Sequence, residues 1–172
     1  ATKKQAKDIV ASLVKEVNMP YATERWPGGM LTNFHTIRKA VKKMDTIDKM
    51  ATDGTYENIS KKERLQIQRQ REKLEKNLGS ISDLKRLPAA LFIVDIVKEH
   101  IAISEAQKLN IPTFAMVDTN SDPNQVNFAI PSNDDSSKSI SLIVGIATKA
   151  IAEGLEERQK DKATEEKKKE AT

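Results

Sequence analysis

Apolar residues in the first part of the chain recur every three or four positions, the spacing that places side chains on one face of a helix. Within residues 2–18, Val10, Leu13 and Val17 follow this spacing, and lysines lie between the apolar positions. The pattern predicts an amphipathic helix that ends before Pro20, because a proline disfavours helical backbone in the residue that precedes it.

Residues 33–79 predict two further helices joined by a glycine-containing turn. The second of them, over residues 60–78, consists almost entirely of strong helix formers, with Ser60 and Glu63 as an N-terminal capping box and Gly79 as a C-terminal cap. Each helix has only a narrow apolar stripe, so we predict a protruding, coiled-coil-like antiparallel helical hairpin. The apolar positions of its first helix are Phe34, Ile37, Val41, Met44 and Ile47.

The second half of the chain alternates short apolar runs with helical patterns. The continuous apolar runs at 90–95 and 112–118 are typical of strands buried on both faces, and 127–130 is a shorter third strand. Helical periodicity covers residues 98–109 and 136–154. This alternation predicts an α/β fold built on a parallel sheet.

These patterns divide the chain into four segments. Residues 1–32 and 80–154 form the two parts of one α/β domain, and residues 33–79 form the hairpin inserted between them. Residues 155–172 form a charged tail that we expect to be disordered, since it has no large apolar residue after its first position. A three-stranded sheet is small for this class, so we also expect an upstream strand outside this sequence.

Composition excludes several kinds of site. The chain has no cysteine, which excludes disulfides and thiolate zinc sites and agrees with a reducing cytoplasm. No apolar run reaches the roughly 18 residues of a membrane helix, and no signal-peptide pattern opens the sequence. We therefore expect a cytoplasmic protein without a membrane partner.

Positive charge is concentrated in the predicted hairpin. Residues 33–78 contain twelve basic and seven acidic side chains, whereas residues 79–154 contain six basic and nine acidic ones. From charge alone, a solvated hairpin and a surface that binds phosphates are equally good interpretations. The basic residues of the hairpin include Lys39, Lys42, Lys43 and Lys49 on its first helix and Lys61, Lys62, Arg64, Arg69, Arg71, Lys73 and Lys76 on its second.

Carboxylates follow two of the predicted strands and admit an enzymatic interpretation. Asp95 and Asp118 end their strands, where ligands of open α/β sheets bind, and Asp122 and residues 133–135 add further oxygen ligands. Turn formation and helix capping explain the same residues more simply, and no glycine-rich phosphate-binding motif is present. An α/β enzyme with a carboxylate site at the strand C-terminal ends is therefore the alternative hypothesis.

Several strings of the sequence resemble the bacterial family of ribosomal protein S2. The string ERWPGGMLTN over residues 24–33 is similar to a loop of that family, in which an arginine and a tryptophan precede paired glycines. Further resemblances occur in the same order along the chain, at residues 2–6, 87–95, 99–103, 111–123 and 130–135.

The resemblance implies a flavodoxin-like or Rossmann-like parallel sheet and a structural, non-catalytic role in translation. It implies binding to small-subunit ribosomal RNA and to small-subunit ribosomal proteins, with anchoring of ribosomal protein S1. It also implies that the protein uses no cofactor, no metal ion and no small-molecule substrate. We expect RNA contacts from the basic side chains of the first helix, the loop and the hairpin, namely Lys3, Lys4, Arg25, His35, Lys39, Lys42 and Lys43.

Overall fold

The computed structural model describes residues 1–54 and 59–170, with the backbone alone described at residue 51 and over residues 162–170. Each helix predicted from the sequence is present. The helices are α1 (Lys4–Glu16), α2 (Phe34–Thr52), α3 (Lys61–Leu78), α4 (His100–Lys108) and α5 (Ser137–Glu170), with short 3₁₀ turns at Gly79–Ile81 and Pro123–Gln125.

The sheet consists of β1 (Leu91–Val94), β2 (Thr113–Val117) and β3 (Phe128–Pro131), which pair in the order β1-β2-β3. Both pairings are parallel, which confirms the predicted α/β class. A parallel sheet needs cover on both faces. Here α1 and α5 pack on one face around Met116, and Ile103 of α4 packs on the other face around Ala115.

Helices α2 and α3 pack against each other through apolar and charged side chains. Ile37 near the start of α2 shares a cluster with Leu74 and Leu78 near the end of α3. Farther along α2, Asp48 accepts hydrogen bonds from Arg71 at 2.9 and 3.2 Å. Toward the end of α2 the partner on α3 thus lies earlier in the chain, which is an antiparallel arrangement.

The end of α3 differs in detail from the prediction. Ser60 caps α3 through its hydroxyl, which accepts a hydrogen bond from the Glu63 amide at 3.3 Å. Gly79, however, has a φ of −57° and lies in the right-handed region instead of the left-handed one that helix-ending glycines usually adopt. The chain therefore tightens into a 3₁₀ turn after α3.

The structure also differs from the prediction at the tail. Instead of the expected disorder from residue 155, α5 continues to Glu170, and residues 171–172 lie outside the described residues. The side chains over residues 156–161 are all exposed. Over residues 156–161 the helix is therefore favoured by the strong helix formers Glu, Arg, Gln and Lys rather than by packing.

Candidate functional site

The basic residues of α2 lie on one face of the helix. His35, Lys39, Lys42 and Lys43 are exposed and follow one another at helical spacing, and exposed Lys49 extends the row by two turns. We call these five residues the α2 basic stripe. The structure thus brings together four of the seven residues that the sequence predicted to bind RNA.

The opposite face of α2 is apolar. Met44 and Ile47 are buried, and Ile37 and Val41 pack against the cluster that contains Leu78. Because packing fixes this face, the α2 basic stripe is held toward solvent. No acidic residue belongs to the stripe, since Asp45 lies at its border and Asp48 turns toward Arg71 of α3.

The loop that precedes α2 is anchored by one buried carboxylate. Glu105 on α4 is only 6% exposed and accepts hydrogen bonds from the amides of Gly29 (2.8 Å), Leu31 (2.8 Å) and Thr32 (2.9 Å). Its Oε1 also accepts a bond from the Trp26 indole at 3.3 Å. Glu105 therefore fixes the backbone just before α2 begins.

The environment of Glu105 stabilises its charged form. Burial by itself raises the pKa of this carboxyl, but the hydrogen bonds donated by Thr32, Leu31 and Gly29 outweigh burial and lower the pKa below its ordinary value. The Thr32 hydroxyl adds a further bond at 3.1 Å. Glu105 is thus an ionised group held inside the protein by backbone dipoles.

Arg25 lies in the loop that Glu105 anchors. Its side chain is exposed and lines a cavity between this loop and the hairpin, which Lys73 of α3 also lines. The neighbouring Glu24 pairs with Lys7 at 3.3 Å and with Lys76 at 3.5 Å, so its charge is offset by two cations. Arg25 has no ion-pair partner within the part of the chain that the structure describes.

Lys3 is placed differently from the expectation. Its side chain is 12% exposed, and Nζ lies 2.6 Å from Asp134, 2.6 Å from Asp135 and 3.3 Å from Asp95. Three carboxylates thus surround this ammonium group, which removes it from an external polyanion. Lys4, the next residue, is exposed on the outer face of α1.

The carboxylates around Lys3 come from the C-terminal ends of β1 and β3, as the alternative hypothesis required. Asp95 follows β1 with a left-handed φ of 70°, and one of its oxygens accepts the Lys98 amide at 3.0 Å. Asp118 follows β2 and accepts the Asp134 amide at 3.2 Å. These acids therefore act as turn and capping groups, with Lys3 as their internal counter-ion.

Two of the acids that pair with Lys3, together with Asp118, are the one group of side chains, among the described residues, with the spacing of a metal site. Oxygens of Asp118, Asp134 and Asp135 lie within 4.8 Å of one another. Burial first, and then the charges of Asp95 and Asp118, raise the pKa of Asp134 in spite of Lys3. The Lys3 ammonium already supplies a cation at this position, 2.6 Å from two of the three carboxylates.

Sequence reasoning missed the role of Glu105, although a signal was present. Glu105 shares a face of α4 with Ala102 and Ala106, both of which are buried. A carboxylate on the apolar face of a helix is costly unless it is hydrogen-bonded, so its position indicates a buried partner. The partners themselves lie more than 70 residues away and could not be read from the sequence.

The comparisons with known proteins give one consistent result. The family model described as Ribosomal protein S2 matches residues 1–154. The chain is 70% identical over 165 residues to the small ribosomal subunit protein uS2 of Flavobacterium johnsoniae, covering 96% of this chain and 65% of that protein. It is 69% identical to the corresponding protein of Christiangramia forsetii, covering 94% of this chain and 54% of that one.

The chain thus spans between about half and two thirds of the length of these curated relatives. Within residues 1–54 and 59–170, no helix is both long enough and apolar enough to cross a membrane.

Proposed function

Because the chain belongs to the ribosomal protein S2 family, we propose that it is a structural constituent of the small ribosomal subunit. In this role it binds ribosomal RNA and neighbouring ribosomal proteins during translation, in the cytoplasm. It performs no reaction and uses no cofactor. The observation that carries the proposal is the α2 basic stripe, an exposed row of basic side chains on a helix whose other face is packed.

Such a stripe suits the backbone of folded RNA. Each lysine that neutralises a phosphate releases a condensed counter-ion, so a few contacts produce substantial binding that weakens steeply with salt. Lysine is a point charge without a planar fork, and phosphate contacts of this kind position a protein without reading bases. The stripe is therefore an element for orientation and charge neutralisation.

The RNA-contacting residues that we propose are Arg25, His35, Lys39, Lys42 and Lys43. Lys4 is a further candidate because it is exposed at the start of α1, where free backbone amides also favour anions. Lys3 is left out, since three carboxylates already surround its ammonium group.

Protein partners form the second part of the proposal. Residues 79–154 carry more acidic than basic side chains, so this half suits protein neighbours better than RNA. The resemblance to the S2 family supports ribosomal protein S1 as one such neighbour. Co-purification of S1 with small subunits that carry or lack this protein tests that point directly.

The alternative of a carboxylate enzyme is not favoured. The four strand-end acids do converge, but each is engaged by Lys3 or by a backbone amide. Asp134 Oδ2 has no hydrogen-bond partner among the described residues, but it belongs to a side chain that is only 1% exposed. A general base needs an accessible oxygen that can reach a substrate proton. The cluster therefore supports a structural role.

The test is co-sedimentation of the chain with small ribosomal subunits depleted of this protein, at increasing salt. We expect retention with the subunits at low salt and release at high salt. The double variant Lys42→Glu and Lys43→Glu should lose retention at a lower salt concentration, because two phosphate contacts become repulsive.

The matched control is Lys108→Glu with Lys149→Glu, which makes the same charge change at exposed positions on α4 and α5. This control should sediment like the parent chain. Equal losses in the two double variants would mean that net charge alone matters, and the α2 basic stripe would not be the interface.

A further inference from the structure

A cavity of about 380 Å³ lies between the loop that Glu105 anchors and the packed pair of helices α2 and α3. Its size falls within the range of roughly 300–1,000 Å³ that is usual for small-ligand sites. We call it the Arg25 cavity. The lining residues used below are Arg25, Ile37, Gln70, Lys73, Leu74 and Asn77.

The Arg25 cavity combines an apolar floor with polar groups at its rim. Ile37 and Leu74 belong to the apolar cluster beneath it and are only partly buried, so part of their surface faces the cavity. Arg25 and Lys73 are exposed cations, and none of the lining residues is acidic. The cavity therefore favours a ligand with a flat apolar part and a negative charge.

Two amide side chains add hydrogen-bonding capacity. The Asn77 amide nitrogen donates to the Lys73 carbonyl at 2.9 Å, which leaves its carbonyl oxygen as an acceptor. Gln70 is exposed at the rim, and its amide makes no hydrogen bond with the described residues. An amide offers both a donor and an acceptor, as the edge of a nucleobase requires.

We propose that the Arg25 cavity binds one unpaired nucleotide of RNA. The base lies against Ile37 and Leu74, its edge meets the amides of Gln70 and Asn77, and Arg25 and Lys73 contact the flanking phosphates. This inference rests on the proposed function and deepens it, because it names the kind of RNA element recognised. Bases that are splayed out of a helix are the usual targets of sequence-specific RNA recognition.

The charge around the cavity supports RNA as the occupant. Lys62, Arg69, Lys73 and Lys76 are exposed and follow one another at intervals of seven, four and three residues, which places them along one side of α3. This row passes the cavity at Lys73. A phosphate backbone that follows the row would bring an extruded nucleotide to the opening.

The experiment uses the whole chain and two RNA hairpins of otherwise identical sequence, one fully paired and one with a single bulged 2-aminopurine. Fluorescence anisotropy gives the affinity for each hairpin, and 2-aminopurine fluorescence reports the surroundings of the bulged base. We expect about tenfold tighter binding of the bulged hairpin, together with a change in 2-aminopurine fluorescence.

Substitutions at Gln70 test whether the bulged base lies in the Arg25 cavity. Gln70→Trp should fill the cavity from its rim and abolish the preference for the bulged hairpin, while binding of the paired hairpin is kept. Gln70→Met fills it less and should reduce the preference by a smaller factor. Gln68→Trp is the matched control, because this exposed residue lies two positions away on another side of α3 and does not line the cavity.

Three results would overturn the inference. Equal affinity for the two hairpins would show RNA binding without a nucleotide site, and the proposed function would stand. A preference that survives Gln70→Trp would place the base elsewhere on the protein. If the chain bound neither hairpin, the proposed RNA binding would be contradicted, and so would the nucleotide site that rests on it.

Discussion

Glu105 shows how much one buried charge can organise. A carboxylate taken out of water is costly, and hydrogen bonds to its charged form offset that cost. Three backbone amides and two side chains of the 26–32 loop donate to Glu105 in this way. Without the carboxylate these donors, of which the Leu31 amide is buried, would lose their acceptor, so the loop and α4 depend on each other.

Glu105→Gln tests this dependence. A neutral amide presents one acceptor oxygen in place of two, and its NH₂ group faces the loop amides as a donor. We expect the free energy of unfolding to fall by about 2–3 kcal/mol, measured by urea denaturation at pH 7. Trp26, the one tryptophan of the chain, should also change its fluorescence, since its indole bonds to Glu105.

Glu153→Gln makes the same substitution at an exposed position of α5 and serves as the control. It should leave both the unfolding curve and the tryptophan emission unchanged. An equally small effect of Glu105→Gln would mean that the loop is held by its apolar contacts instead.

The lowered pKa of Glu105 gives this interaction a definite pH dependence. A carboxyl whose pKa is lower in the folded state contributes stability that is complete above its unfolded value, about 4.3, and is lost as pH falls through the folded value. The stability difference between the parent chain and Glu105→Gln should therefore be constant near neutral pH. It should narrow below about pH 4, and a difference that grows with acidity would contradict the assignment.

At the scale of elements, the sequence predicted the helices and strands well because each has a strong pattern. The apolar row of α2 and the continuous apolar run of β2 are local signals. The contacts of the Lys3 side chain could not be predicted from a local pattern. Its partners Asp95, Asp134 and Asp135 lie about 90 to 130 positions away, and a lysine beside Lys4 at a helix start looks like any exposed cation.

The structure differs from the prediction at the tail for another reason. A segment without apolar residues cannot pack, and disorder was inferred from that. Its composition is nevertheless typical of peptides that form a helix by themselves, and α5 continues through it to Glu170. Helical propensity and packing are separate requirements, and propensity is sufficient over residues 156–161, where the side chains are exposed.

Removing residues 159–172 separates these two contributions. We expect the helical signal in circular dichroism to fall. The free energy of unfolding, measured by urea denaturation, should change by less than about 0.5 kcal/mol, because the side chains over 156–161 are all exposed. A large loss of stability would show that the end of α5 packs against the domain. An unchanged helical signal would instead support the original prediction of disorder.

For the whole molecule, Lys3 joins parts of the chain that are remote in sequence. The Lys3 ammonium group, just before α1, contacts acids at the ends of β1 and β3. The neighbouring Thr2 amide donates a hydrogen bond of 2.6 Å to Glu99. Burial works against the charge of Lys3, but hydrogen bonds to Asp134, Asp135 and Asp95 raise its pKa well above the ordinary lysine value. The ammonium group is therefore charged at any physiological pH.

Lys3→Met keeps most of the side-chain volume and removes the charge. Asp134, which is 1% exposed, and Asp95 would then be left without their counter-ion. Removing one partner of a buried ion pair is strongly destabilising, so we expect a loss of about 3 kcal/mol in urea denaturation at pH 7. Lys4→Met, at the exposed neighbouring position, should have little effect.

The double variant Lys3→Met and Asp134→Asn checks the cause. Neutralising the most buried carboxylate should recover part of the lost stability, because the remaining repulsion among the acids is smaller. No recovery would mean that the lost stability does not come from the uncompensated charge of Asp134.

The anchoring of the loop by Glu105 also has a mechanical consequence. Thr32 is held to α4 immediately before α2 begins, and the first turn of α2 packs on the same apolar cluster as α3. The pair of helices α2 and α3 is therefore fixed to the domain at its base, without a hinge. A force exerted on the α2 basic stripe would then be transmitted to the sheet as a torque, so the domain and the helix pair would rotate together.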